Sequence, residues 1–275
     1  GGVWKTSDKG ESWNNISDGY FGGSVGAVEI SASDPDILYA GTGEETLRGN
    51  MSSGNGIWRS TDAGRTWTHM GLAGTKQISR VRIHRKDPNN VLVAAIGNVF
   101  RPSPERGIFK SIDGGKNWKK VLYISDTVGA SDLAIDPTNS QIMYAGMWHV
   151  LRNPYQFVSG GSGSGIYKSM DGGESWQNLT QNEGLPEGIW GKVTLSICPQ
   201  RPERIYAMIE NLNGGLYRSD DSGKTWEKVN SENKLRQRSW YFTRVYADPK
   251  NPDGVYVLNV SLHYSKDGGK TFSEV

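Results

Sequence analysis

One cysteine, Cys198, stands among 275 residues, so no internal disulfide holds the fold together. Histidine is scarce too: His69, His84, His149 and His263 are scattered without ligand spacing, and the expectation is no metal site and no cofactor. Charge of one sign is missing, because 31 Lys and Arg face 29 Asp and Glu for a net +2. Without a basic stripe, nucleic acid is not an expected partner. No apolar run approaches the roughly 18 residues of a membrane-crossing helix, so no membrane span is expected in these residues. The Gly-Ser run Ser159–Gly165 lacks the lysine of a phosphate-binding loop and precedes a strand pattern. It reads as a flexible approach.

What is abundant is glycine, 36 residues of it, arranged with purpose. Six copies of Ser/Thr-x-Asp-x-Gly-x-x-aromatic begin at Thr6, Ser60, Ser111, Ser169, Ser219 and Ser265 and end at Trp13, Trp67, Trp118, Trp176, Trp226 and Phe272. Asp8, Asp62, Asp113, Asp171, Asp221 and Asp267 are the constant acids. A short carboxylate accepts hydrogen bonds from amides just ahead of it, and the following glycine takes the positive φ the corner needs. The aromatic then folds under the hairpin, burying surface worth roughly 2–3 kcal/mol. A repeat needs one such fastener per unit, so the boxes are read as structural.

Upstream of each box lies a second signature. Apolar stretches end at Asp34-Pro35, Asp87-Pro88, Asp136-Pro137, Arg201-Pro202 and Asp248-Pro249, and β-rich runs such as Ile37–Gly41 and Ile142–Gly146 follow. Proline cannot donate to a ladder and so marks a bend. Gly-apolar-aromatic-basic, as in Gly56–Arg59, announces a third strand, which the box turns into a fourth. Four antiparallel strands per unit make an all-β propeller of about five and a half blades. The half-blade covers 1–18, and the complete blades about 24–72, 77–124, 129–180, 188–230 and 240–275. We expect the segment to be part of a longer parent chain whose remaining blades complete the ring.

Strand order places the boxes on one face and the long, dissimilar loops Glu44–Asn55, Asn98–Arg106 and Trp148–Ser164 on the other, where binding is expected. The ligand-binding candidates are Glu44, Arg48, Arg101, Trp148, His149, Arg152, Trp190 and Arg236. Arg238, Trp240 and Tyr241 belong to the same inventory. Arginine forks grip carboxylates and aromatic faces stack on sugars or apolar side chains, which suits a peptide, protein or glycan. Glycoside hydrolysis would need two carboxylates across the scissile bond. Glu44 with Glu210, from different blades, is the candidate catalytic pair, since adjacent Glu44 and Glu45 point to opposite faces of an extended segment.

These boxes resemble the Asp-box, or bacterial neuraminidase, repeat. Tyr39–Glu44, Arg106–Lys110, Ser159–Gly165, Gly215–Asp221 and Asp248–Pro252 extend the resemblance to the large bacterial sortilin-like, VPS10-type propellers. The resemblance implies a secreted, periplasmic or cell-surface bacterial protein. Asp boxes occur in sialidases, xyloglucan hydrolases, sorting receptors and a photosystem assembly factor, so the repeat alone does not transfer a catalytic site. The chain also lacks the Arg-Ile-Pro motif of sialidases. The expected function is a noncatalytic propeller that recognises its ligand on the long-loop face or in a central tunnel. The alternative is a sialidase- or xyloglucanase-like glycoside hydrolase.

Overall fold

The apolar runs bounded by turns form short β-strands in the computed structural model, which describes residues 1–275. Apart from two three-residue 3₁₀ turns, the regular structure is all β. Each complete blade is a four-stranded antiparallel meander, and the third carries one additional short strand off that path. Their innermost strands are Val25–Ile30, Ile78–His84, Val128–Ile135, Val193–Cys198 and Arg244–Ala247. The box turns connect third to fourth strands, as between Gly215–Ser219 and Glu227–Asn230. A two-stranded piece, Trp4–Lys5 with Asn14–Asn15, precedes the first blade.

The sheets twist face to face, so the core lies in the seams between blades. Tyr39, Ile57, Ile78 and Phe109 fill the first-to-second seam. Leu92, Ile108, Leu133 and Met143 fill the next. Tyr144, Ile166, Leu195 and Trp226 fill the third-to-fourth seam, and Tyr206, Leu216, Val245 and Phe272 the last. Polar stitches cross the same seams: Ser79 Oγ donates to Ala130 O at 2.7 Å, and Ser131 Oγ to Val193 O at 2.7 Å. Near the centre the backbones come too close for side chains. A Cβ at Gly26 would sit 2.1 Å from Ile78 O, and one at Gly129 would sit 2.2 Å from Ile96 O.

The boxes repeat one hydrogen-bond set. Ser219 Oγ donates to Asp221 Oδ1 (2.7 Å) and accepts the Gly223 amide (2.8 Å). Asp221 in turn accepts the Thr225 amide (2.9 Å) and hydroxyl (2.6 Å). The aromatics divide into two groups. Trp67 and Trp118 donate across the seam to Ile16 O and Met70 O, each just past the outermost strand of the preceding sheet, whereas Trp176 and Trp226 donate to glycines of their own boxes. Trp13 departs from the expected burial: it is 55% exposed and bonds only Gly10 O.

Two further expectations need correction. Pro88 and Pro202 do not mark separate bends; each lies at the start of a second strand beside a register irregularity, where a missing amide breaks no ladder. The expected loop Trp148–Ser164 is about half sheet, because strand Met143–Arg152 runs on for ten residues and Phe157–Ser159 folds back to pair with it.

Hydroxyl and amide donors stabilise the ionised box acids. The Thr66 hydroxyl and amide push Asp62 down to about 2, and the Asn117 amide and side chain do the same for Asp113. At Asp221 burial works upward, yet the Thr225 hydroxyl and amide prevail and bring it to about 2. These groups are lower when folded than their ordinary 3.8, so the stability they add is complete above that value and is lost as pH falls through about 2. The melting temperature is expected to fall steeply between about pH 4 and 2; a flat profile there would contradict this account of the boxes. Ser219→Ala strands the buried Gly223 amide and should cost about 1–3 kcal/mol in urea denaturation.

Candidate functional site

At the centre, each complete blade supplies one charged side chain. Arg80, Asp132 and Arg244 come from innermost strands, Lys192 directly precedes one, and Glu45 follows the second strand of the first blade. Arg80 Nε meets Asp132 Oδ1 at 2.8 Å, and Arg244 Nη1 meets Asp132 Oδ2 at 3.2 Å. Arg244 Nη2 also contacts Glu45 Oε1 at 2.5 Å, and Lys192 Nζ reaches the same oxygen at 3.1 Å. Asp132, Lys192 and Arg244 are buried and Arg80 and Glu45 largely covered, so a packed ionic hub stands where a central ligand tunnel was expected.

Burial alone would raise both central acids. At Glu45 the Arg244, Lys192 and Arg80 charges outweigh it, and at Asp132 Arg80, Arg244 and the Leu195 amide do so; each acid is brought down to about 2. Lys192 is pushed down to about 8, first by burial and then by neighbouring Arg244 and Arg80, against the pull of Glu45.

The loop face lies above this hub. Glu44 and Glu45 point apart: Glu45 turns inward, while Glu44 accepts from Arg48 Nε and Nη2 and from the Ser52 amide at 3.1 Å. Partial burial pushes the Glu44 carboxyl up, but the Arg48 and Ser52 donors hold it below its ordinary range. Two adjoining depressions share Arg48. One, of about 400 Å³, is lined by Glu44, Glu45, Thr46 and the Gly23–Gly26 backbone. The other, of about 470 Å³, is lined by Leu47, Arg48, Arg238, Trp240 and Tyr241. Trp240 keeps an accessible ring and leans on Phe157 at 5.8 Å.

The other expected residues are dispersed. Trp148 is fully buried against Leu47, Met51 and Val150, so its ring offers no face to a ligand. Its Nε1 donates to Ser159 Oγ (3.0 Å), which donates to Glu210 Oε2 (2.7 Å); that oxygen also accepts the Lys192 amide (2.8 Å). Glu210 is thereby tied into the joint between the third and fourth blades. Trp190 is buried and donates to Pro186 O. His149 is half-buried, with its amide bonded to Ser164 Oγ. Arg152 lies over the Phe157 ring at 5.7 Å, Arg101 is exposed, and Arg236 Nε reaches Ser231 O at 3.4 Å. Asp8, Asp62, Asp113, Asp171, Asp221 and Asp267 all sit in box turns on the opposite face.

Lys192, Asp132, Arg80 and Arg244 were not among the expected site residues. The available signal was a lone charge within or beside an apolar strand, as Asp132 is in Val128–Ile135.

Known proteins bear on this geometry. A xyloglucanase from a Paenibacillus species is 28% identical over 214 residues, 68% of this chain and 19% of the relative. Xyloglucanase Xgh74A from Acetivibrio thermocellus is 24% identical over 265 residues, 69% of this chain and 30% of the relative. The chain thus spans less than a third of the length of these curated relatives. Among solved structures, the GH74 xyloglucanase from Xanthomonas campestris superposes with a TM-score of 0.64 at 17% identity, covering 91% of this chain and 37% of that one, which supports the propeller fold. The two curated relatives are enzymes by name, and this overturns the expectation of a noncatalytic binding propeller. The BNR-Asp box repeat model matches residues 216–229. The model described as "Sortilin, neurotensin receptor 3" matches residues 1–144, more than half of the sequence, and the chain belongs to this Sortilin-Vps10 family.

Proposed function

We propose that this chain is the propeller segment of a glycoside hydrolase acting on a β-glucan of the xyloglucan type, with the loop-face groove as its glucan-binding surface. The observation that carries this reading is the likeness to two xyloglucanases over about two thirds of the chain. The groove chemistry agrees with an uncharged polysaccharide: Trp240 offers a ring face for a sugar, and Arg48 and Arg238 offer donors for hydroxyls.

Glu44 and Glu45 both line the open depression; Glu44 stands outside the ionic hub, and its donors keep it ionised. An ionised carboxylate serves as base or nucleophile in glycoside hydrolysis, while the partner acid must hold a proton. Glu45 is ionised as well and faces the hub, so it is not that acid. Burial raises the Glu29 carboxyl. Glu29 lies at the far end of strand Val25–Ile30, four residues from Val25 at the depression's edge. At about 3.3 Å per residue that is roughly 13 Å, beyond the roughly 5–9.5 Å of carboxylate pairs. The proton donor is then a carboxyl facing Glu44 across the bound chain, and in the longer relatives there is ample sequence outside the matched region to carry it.

In the full-length protein, Glu44→Gln should lower kcat on xyloglucan by at least about 100-fold, read as reducing ends released, with KM little changed. Trp240→Ala should raise KM about 2- to 10-fold with kcat nearly intact, as expected for loss of one stacking contact. Full activity in Glu44→Gln would remove that residue from the chemistry. Absence of xyloglucan cleavage by the wild-type enzyme would refute the reading as a whole.

A further inference from the structure

The groove has two walls that belong to different blades. One is the first-blade loop carrying Leu47 and Arg48; the other is the segment entering the fifth blade, with Arg238, Trp240 and Tyr241. Lys192, from neither wall, touches both. Its Nζ donates to Glu45 Oε1 at 3.1 Å, three residues before Arg48, and to Tyr241 O at 2.7 Å, next to Trp240. Its own backbone is anchored by the hydrogen bond its amide donates to Glu210 Oε2, and its ammonium lies 5.8 Å from the Trp148 ring centroid. The side chain is 1% exposed, so water does not compete for these donors.

We propose that Lys192 is a positioning residue that holds the two groove walls together, so that the grip on a glucan depends on the charge of this amine. This rests on the reading of the groove as the glucan site. The ionic groups around Lys192 are Glu45 of the first blade, Arg80 of the second, Asp132 of the third, Glu210 of the fourth and Arg244 of the fifth. A lysine in water keeps its proton to about pH 10. Burial and the two guanidinium groups bring Lys192 to about 8, so it loses its charge at mildly alkaline pH.

When it does, a charge-assisted pair of bonds becomes a neutral pair about half as strong. Linkage runs the other way for the fold. The native state sheds this proton before the unfolded chain does, so this group makes the protein more stable as pH rises from about 8 towards 10.5. Weaker binding across that window is therefore not a sign of unfolding through Lys192.

The test is calorimetric binding of a xyloglucan oligosaccharide to the full-length protein between pH 6.5 and 9.5, together with ¹³Cε lysine NMR. Wild-type Kd should rise about fivefold with a midpoint near pH 8. Lys192→Arg, which stays charged, should give a flat profile, and Lys192→Met should bind weakly at every pH. One lysine signal should titrate near 8 and vanish in Lys192→Arg. A flat wild-type profile, or wild-type affinity in Lys192→Met, would overturn the proposal. If the wild-type protein binds no xyloglucan at any pH, the proposed function fails, and NMR alone judges the brace. A lysine titrating near 8 in step with the Trp240 indole supports it, and every lysine titrating above 10 overturns it.

Discussion

Asp132, held between Arg80 and Arg244, is the contact on which the centre of this molecule depends. A buried carboxylate is tolerable only when opposite charges and hydrogen bonds replace water, and losing one partner leaves a costly orphan charge. Asp132 has both arginines and the Leu195 amide, which brings the third, second, fourth and fifth blades to one side chain. Through Arg244 the same network reaches Glu45 and so the first blade. Apolar seams hold neighbours together pairwise; the hub connects blades that share no seam.

Rim and hub divide the work of folding. At the rim, the serine or threonine, aspartate and glycine of each box are satisfied within its eight residues, whichever blade they occupy. At the hub, partners are 50 to more than 100 residues apart in sequence, as Arg80 is from Asp132 and Asp132 from Arg244. Local chemistry thus makes hairpins, and nonlocal charge pairing sets how the innermost strands gather. The loop face inherits its shape from the hub, because Glu45, which Lys192 and Arg244 hold in the hub, and its neighbour Glu44 both line the depression.

This division also explains what was legible in the sequence. The box corners and the four-stranded blades were readable because Ser111, Asp113 and Gly115 carry the geometry of the corner within a few positions of one another. Trp148 was not, since an aromatic in a presumed loop looks available for binding. The ten-residue strand and the returning Phe157–Ser159 pairing instead fold it into a cluster with Leu47 and Val150. Glu210 resembled a free acid for the same reason, although Ser159 and the Lys192 amide occupy one of its oxygens. Lys192 carried no motif at all, and its role depends on Glu45, which lies 147 residues away.

The hub has an evolutionary consequence. Blades built on a common rim turn can be duplicated or exchanged without disturbing that turn, yet the five central positions hold an acid, an arginine, an acid, a lysine and an arginine in that order. Replacing the third blade by a copy of the second would put an arginine where Asp132 now stands between Arg80 and Arg244, leaving both guanidinium groups without that acid. Units that share a rim turn are in this way committed to fixed places around the centre.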